Sequence, residues 1–214
     1  MCSDHTAQDQ RQSFPSFDEV VAFHGHSCPG LASGYQMAIH AMTALGVSRS
    51  EDEGLVAVSE TDACSVDAIQ IVAGCTAGKG NLIIHDYGKH GISFYAREQK
   101  KAVRVISNLV NFAPNKEISK EMNELRPKIS SRIATPEEEE RFHNLMNQAV
   151  ANILSACPED IVTIQEISYN PPKKARIFQS IICESCAESV ADAKTSVIDG
   201  KRVCIPCADK LLKE

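Results

Sequence analysis

The stretch "FHGHSCPGLASGY", Phe23 to Tyr35, sets two histidines and a cysteine on alternate positions, His24, His26 and Cys28, and then places a proline at Pro29. A proline disfavours helical geometry in the residue before it, so the chain just ahead of Pro29 is expected to be extended or turned. In an extended chain, residues i, i+2 and i+4 share a face. That geometry would aim both imidazoles and the thiol the same way, with Gly25 and Ser27 opposite. Pro29 suits the first position of a helix, which makes Cys28 its N-cap, where unpaired N–H groups favour thiolate over thiol. Imidazole and thiolate donors suit Zn²⁺, Fe²⁺ or Ni²⁺ better than Mg²⁺.

Two more thiols fall at the ends of expected elements, where sites are usually built. Cys64 in "TDACSVDA" directly precedes Ser65, the expected N-cap of a short helix, and Cys75 follows the terminating Gly74 in "GCTAGKGN". Together with Cys28 these are candidate ligands or nucleophiles, and three such thiols alone are also the raw material of an iron–sulfur cluster. The loop Gly74 to Asn81 fails as a Walker phosphate loop: three residues rather than four separate Gly74 from Gly78-Lys79, and Gly80 stands where Ser or Thr should hold Mg²⁺. A Gly-rich turn with Lys79 still offers backbone N–H groups to an anion. Asp86, Lys89 and His90 in "HDYGKHG" follow one strand later as further polar candidates. Cys157 and His40 lie inside helical patterns and read as packing residues.

The tail carries a different signal. "CESC", Cys183 to Cys186, and "CIPC", Cys204 to Cys207, are separated by seventeen residues. Four thiolates on two tight knuckles make a closed tetrahedral Zn²⁺ site of the structural kind, with an iron–sulfur or rubredoxin-like iron centre as the alternative. "DGKR", Asp199 to Arg202, reads as the turn of a hairpin returning to the second knuckle, and a short helix follows Cys207. A unit this small has too little core to fold without metal.

Local signals supply the elements that would position these residues. "SFDE" is a capping box for a helix to about Phe23, and the helix begun by Pro29 runs to Gly46. "LVAVSET" reads as a strand, "SVDAIQIVA" as a helix, and "LIIHD", "ISFYARE" and "KAVRVISN" as three strands. A polar helix interrupted by Pro127 is expected between Ile118 and Ser131. Thr135, Pro136 and Glu138 then cap a long helix whose stripe from Phe142 to Leu154 is core or a dimer face. "IVTIQEI" is one more strand, and "YNPPKK" reads as a linker. The expected organisation is an arm over residues 1–16, a core over 17–170, a linker over 171–180 and a zinc module over 181–214.

Composition narrows the function. The 214 residues carry a net charge of −6, no Trp and only 5% aromatics. That is a poor match to a nucleic-acid binder, which needs basic surface or stacking platforms. No run approaches the length of a membrane span, and the polar N-terminal stretch lacks the order of a secretory signal. Nine cysteines, four of them in C-x-x-C pairs, suit metal binding in a reducing cytoplasm. From Pro171 onward eight Lys and Arg outnumber six Asp and Glu, a mildly basic tail on an acidic body.

Taken in order, "FHGHSCPGLASGY", "ETDACSVDAIQ", "GCTAGKGNL", "DYGKHGISFY" and the four-cysteine tail resemble the E-subunit family of formylmethanofuran dehydrogenases. The resemblance covers most of Phe17 to Tyr95 and Ile181 to Ala208. It implies an α+β core, a mixed sheet flanked by helices, followed by a zinc-ribbon or treble-clef tail. It also implies a homodimer with a cleft near the first motif. Carried over residue by residue, His24, His26, Cys28 and Cys64 are the expected core metal ligands, with Cys28, Cys75, Lys79, Asp86 and Lys89 as catalytic candidates. Three functions follow. One is a metal- or thiol-dependent enzyme acting on a small anionic or pterin-like molecule. Another is a non-catalytic accessory subunit docking a molybdenum or tungsten oxidoreductase. The last takes its cue from the tail, whose spacing also resembles zinc fingers of bacterial transcription regulators.

Overall fold

The computed structural model describes residues 14–108 and 116–213; most of the expected arm, with Cys2, lies outside them. The chain divides into two compact units after Lys174.

The first unit opens with α1 (Phe17–His24), started by a complete capping box between Ser16 and Glu19 and ended by Gly25 in the left-handed region at φ 92°. Phe14 packs against the core and Tyr35 Oη donates to the Pro15 carbonyl, so the chain just ahead of α1 is already tied down. Helix α2 (Pro29–Leu45) follows, then β1 (Leu55–Ser59), α3 (Ser65–Val72), β2 (Leu82–Ile84), β3 (Gly91–Ala96) and β4 (Lys101–Ser107). Helices α4 (Lys116–Ser130), α5 (Pro136–Ser155) and the short α6 (Pro158–Ile161) lead to β5 (Val162–Glu166). The five strands form one mixed sheet in the order β2-β1-β3-β4-β5, with β1 and β2 parallel and every other pair antiparallel.

Alternation sets the sheet against its helices. In β3, Ile92, Phe94 and Ala96 are buried while Ser93 and Tyr95 between them are half-buried. The buried set packs with Leu31, Met37 and Met42 of α2, Ile69 of α3 and Ile153 of α5. Helix α4 runs through Pro127 instead of breaking there. Its Met122 and Leu125 are buried with Leu145 of α5, and ion pairs Glu121–Arg141 and Lys128–Glu138 join the two helices. Tertiary packing therefore outweighs the one backbone bond that proline removes. Cys157, expected as a plain packing thiol, is disulfide-bonded.

Strand β1 lies between a parallel neighbour, β2, and an antiparallel one, β3, and both follow it to Ser59. The chain leaving β1 is held there. Glu60 forms a two-pronged ion pair with Arg104 at 2.6 and 2.8 Å, which holds its carboxyl below the ordinary range. Its carbonyl receives the N–H groups of Tyr87 and Lys89.

The second unit is built on two hairpins and a helix. Strands β6 (Ser180–Ile182) and β7 (Ser189–Ala191) pair, as do β8 (Thr195–Ile198) and β9 (Lys201–Cys204), and α7 (Ile205–Leu211) closes the unit. Asp199 and Gly200, both at positive φ, form the tight turn of the second hairpin.

Candidate functional site

The fold brings His24, His26 and Cys28 together. One ligand atom from each lies within 4.8 Å of the others, one of two such groups among the described residues. The local geometry differs from the extended segment that the spacing suggests. His24 is the last residue of α1, Gly25 turns the chain, and Cys28 is extended, at φ −151° and ψ 159°. A glycine-capped helix end achieves in one turn what an extended strand would achieve by alternation. The imidazole rings of His24 and His26 lie 4.5 Å apart at a tilt of 37°.

Two of the three members are held by defined contacts. His24 Nδ1 lies 2.7 Å from Oδ2 of Asp67, so the carboxylate fixes the tautomer that carries its proton on Nδ1. Its other nitrogen, Nε2, is buried and has no hydrogen-bond partner among the described residues. Asp67 is held in turn, its Oδ1 receiving the Gln70 amide at 3.1 Å. Cys28 is the N-cap of α2, with its Sγ receiving the Leu31 N–H at 3.4 Å. Burial pushes this thiol above its ordinary value, the Leu31 N–H partly offsets the rise, and the Cys64 thiol nearby adds to it. His26 is exposed, so the cluster opens toward solvent on its side.

Asp67 and Gln70 are site residues that the sequence alone does not mark. Both sit inside the "ETDACSVDAIQ" motif, where Asp67 reads as an ordinary acidic residue in the first turn of a helix. The signal that marks it is its reach to a histidine 43 residues away. Carboxylate–imidazole pairs of this kind orient metal-binding histidines. Asp67→Asn is therefore expected to lower the affinity of the His24–His26–Cys28 cluster for an added transition metal about 10- to 100-fold with little change in stability. Competition with a chromophoric chelator measures this.

Cys64 sits beside the cluster rather than in it. It is the N-cap of α3, one position earlier than expected, and makes no capping bond with its side chain. A Cβ at Gly30 would stand 3.4 Å from the Cys64 Cβ, which places the first turns of α2 and α3 against each other.

The remaining candidates are placed elsewhere. Cys75 is fully buried with its Sγ 3.5 Å from the Leu55 carbonyl, and burial pushes its thiol up to about 12. Lys79 donates to the carbonyls of Ser50 and Glu51, so its ammonium holds the 50–51 loop. The buried Asn81 knits the same region, donating to the carbonyls of Asp52 and Leu55 and receiving the Thr76 N–H. Asp86 receives the Gly88 N–H in its own turn, and Lys89 is exposed near Glu60.

In the second unit, ligand atoms of Cys183, Cys186, Cys204 and Cys207 also lie within 4.8 Å of one another. Backbone N–H groups of Cys186 and Cys204 hold the Cys183 thiol down to about 6. With Cys204 ending β9 and Cys207 on α7, the knuckle–hairpin–helix order is that of a treble clef. Among the described residues no helix is long and apolar enough to cross a membrane.

Comparison with known proteins agrees with this architecture. Residues 23–163 match the family model described as FmdE, molybdenum formylmethanofuran dehydrogenase operon, and residues 176–211 match the prokaryotic dksA/traR C4-type zinc finger. A probable S-adenosyl-L-methionine-binding protein from Archaeoglobus fulgidus is 34% identical over 190 residues, covering 87% of this chain but only 50% of that protein. The chain thus spans about half the length of that relative. A tungsten formylmethanofuran dehydrogenase FmdE-like protein from Syntrophus aciditrophicus shares the fold, with a TM-score of 0.58 and 22% identity, over 92% of this chain and 94% of its own. A core matched across the segment that carries the His-x-His-x-Cys cluster, followed by a matched four-cysteine finger, places the chain in the FmdE family.

Proposed function

We propose that the core is a transition-metal centre for a small ligand, with His24, His26 and Cys28 as its protein ligands. The observation that carries this reading is His24 Nε2. An imidazole nitrogen buried without a partner is costly unless something fills the gap. Its tautomer, set by Asp67, leaves a lone pair on that nitrogen, on a ring 4.5 Å from the His26 ring in a residue that groups with His26 and Cys28. A cation also resolves the state of Cys28, whose burial disfavours the thiolate in the metal-free protein. Two imidazoles and a sulfur fit zinc, nickel or iron. Such a metal, held by three protein groups, supplies Lewis acidity to a bound small molecule.

In this reading the protein's own groups hold and orient. Asp67 keeps His24 in the ligating tautomer, and Cys64 stands beside the centre as a fourth ligand or an exchangeable thiol. Cys75 and Lys79 stabilise the scaffold rather than take part in chemistry. The S-adenosylmethionine in the relative's name is not placed in the cavity beside the cluster, which holds only about 60 Å³. The tail binds zinc structurally, and homodimerisation belongs to the same proposal.

A second reading is supported by the description of the matching family, which names a molybdenum enzyme's operon. There the protein is an accessory subunit of a molybdenum or tungsten oxidoreductase and turns nothing over alone. Co-purification with such a partner would favour it.

Elemental analysis of the full chain tests the metal centre. Two metal equivalents are expected per chain, falling to one in the His26→Ala/Cys28→Ser double variant. A folded wild-type chain holding one equivalent, in the tail alone, would overturn the reading.

A further inference from the structure

Two thiols meet where α2 and α3 begin, and only Cys28 belongs to the three-residue cluster. Cys28 is the N-cap of α2 and Cys64 the N-cap of α3. Cys28 Sγ lies over the first turn of α2, receiving the Leu31 N–H at 3.4 Å. Cys64 lies against the same turn: a Cβ added at Gly30 would stand 3.4 Å from its Cβ and 4.0 Å from its Sγ. The two side chains are hydrogen-bonding neighbours.

The pair is unequal in a way that suits thiol–disulfide exchange. Cys64 is half-buried, and its sulfur makes no capping bond to the backbone. The cavity of about 60 Å³ that it lines gives its side chain room to change rotamer, which a close-packed interior would deny. Cys28 is buried and held by the Leu31 N–H. Cys64 is therefore the sulfur that an oxidant in solution can reach, and Cys28 the one behind it that resolves the product. Cys75 is no competitor, being fully buried with its sulfur on the Leu55 carbonyl.

We propose that Cys28 and Cys64 form a reversible disulfide, oxidised by a small-molecule disulfide, and that this bond and the core metal exclude each other. Cys64 Sγ attacks one sulfur of the oxidant, and the other sulfur leaves as a thiol carrying the Cys64 proton. Cys28 Sγ then attacks the Cys64 sulfur of the mixed disulfide and expels the second small thiol, which takes the Cys28 proton. Two protein thiols are oxidised to one disulfide while one small disulfide is reduced to two thiols. The Cys28 sulfur in that bond has no thiolate charge left to hold a cation. The exclusion rests on the metal-centre reading above; the disulfide does not.

The test incubates the full chain, its tail zinc in place, with oxidised glutathione in the presence and absence of added zinc. Free thiols are then alkylated, cleavage at Asp67 separates Cys64 from Cys75, and mass spectrometry maps the bonds, with metal content measured on each sample. A Cys28–Cys64 disulfide should form in most chains and revert with dithiothreitol, while the tail cysteines stay reduced. With saturating zinc it should form about tenfold more slowly or less, because a metal-held thiolate is not free to attack. Cys64→Ser should leave Cys28 a free thiol under the same treatment, since the buried sulfur has lost its accessible partner. Cys28 and Cys64 both free, or Cys28 joined to any other cysteine, overturns the inference and leaves the metal reading standing wherever a second zinc is bound. A disulfide that forms as fast in chains holding two zinc equivalents overturns the exclusion. One that forms in chains that never take up more than the tail zinc sustains the disulfide and overturns the metal reading.

Discussion

Gly34→Ala is expected to destabilise the core by about 2–3 kcal/mol, the upper range for an overpacked interior, and to weaken metal binding at the proposed His24–His26–Cys28 centre at the same time. Gly34 lies within α2, buried against the start of α3. An ideal Cβ there would stand 2.5 Å from both the Cα and the carbonyl oxygen of Ser65, and 2.8 Å from its Cβ. Backbone atoms cannot rotate aside, so the first turn of α3 would have to move. That turn carries Cys64 and Asp67, the thiol beside the cluster and the carboxylate that sets the His24 tautomer. The higher helix propensity of alanine offsets about 1 kcal/mol at most. Gly30→Ala is the control one turn earlier. Its Cβ would meet Cys64 Cβ at 3.4 Å, an ordinary contact, so it should change stability by less than about 1 kcal/mol. Denaturant midpoints of the two variants, with chelator competition for the core metal, give the answer. A Gly34→Ala protein as stable as the wild type and equally metal-loaded would show that the α2–α3 approach does not position the site.

How much of this could be read from the sequence depends on whether the cause was local. Capping boxes at Ser16 and Thr135 and the proline starting α2 are short-range hydrogen-bond and dihedral effects, and each helix begins where its cap says. The turn at Asp199–Gly200 and the four-cysteine spacing are equally local. The core cluster was legible in composition but not in geometry. The same residues converge through a left-handed glycine cap at Gly25 rather than an extended strand, because the α1 pattern continues one residue further, to His24. Roles that depend on distant contacts were not legible. Asp67 matters because His24 lies opposite it, and Lys79 is committed to carbonyls about 28 residues earlier in the chain. A lysine in a glycine-rich loop reads as an anion site until those carbonyls are seen. Helix α4 gives the opposite case, where a proline that locally reads as a break is overridden by packing against α5.

Removing zinc from the tail is expected to unfold the second unit completely while the first stays folded. The buried cluster of that unit consists of Cys183, Val203, Cys204, Cys207 and Ala208, with Val190 and Ile198 at its margin. Three of those five buried residues are the expected ligands themselves, so without metal the interior is two small apolar side chains and a set of thiols. Large apolar residues such as Ile182, Val197 and Ile205 are exposed and contribute little burial. Burial of so few groups yields a few kcal/mol at about 25 cal/mol per Å². That is too little to order the unit, so zinc binding to four thiolates, worth about 10–16 kcal/mol in comparable small units, supplies its folding free energy. Hydrogen exchange on the full chain separates the two units. After chelation, the amides of Glu184, Ala187 and Cys204, which bond to the Arg202 carbonyl, the Cys183 carbonyl and the Cys183 sulfur, should lose protection. Those of β1 and β3 should keep it. Cys204→Ser should behave as the chelated protein does at micromolar zinc, because three thiolates leave the site open. Protection that survives in β8 and β9 after zinc is stripped would mean that the apolar contacts suffice and that the metal is an addition to a fold already made.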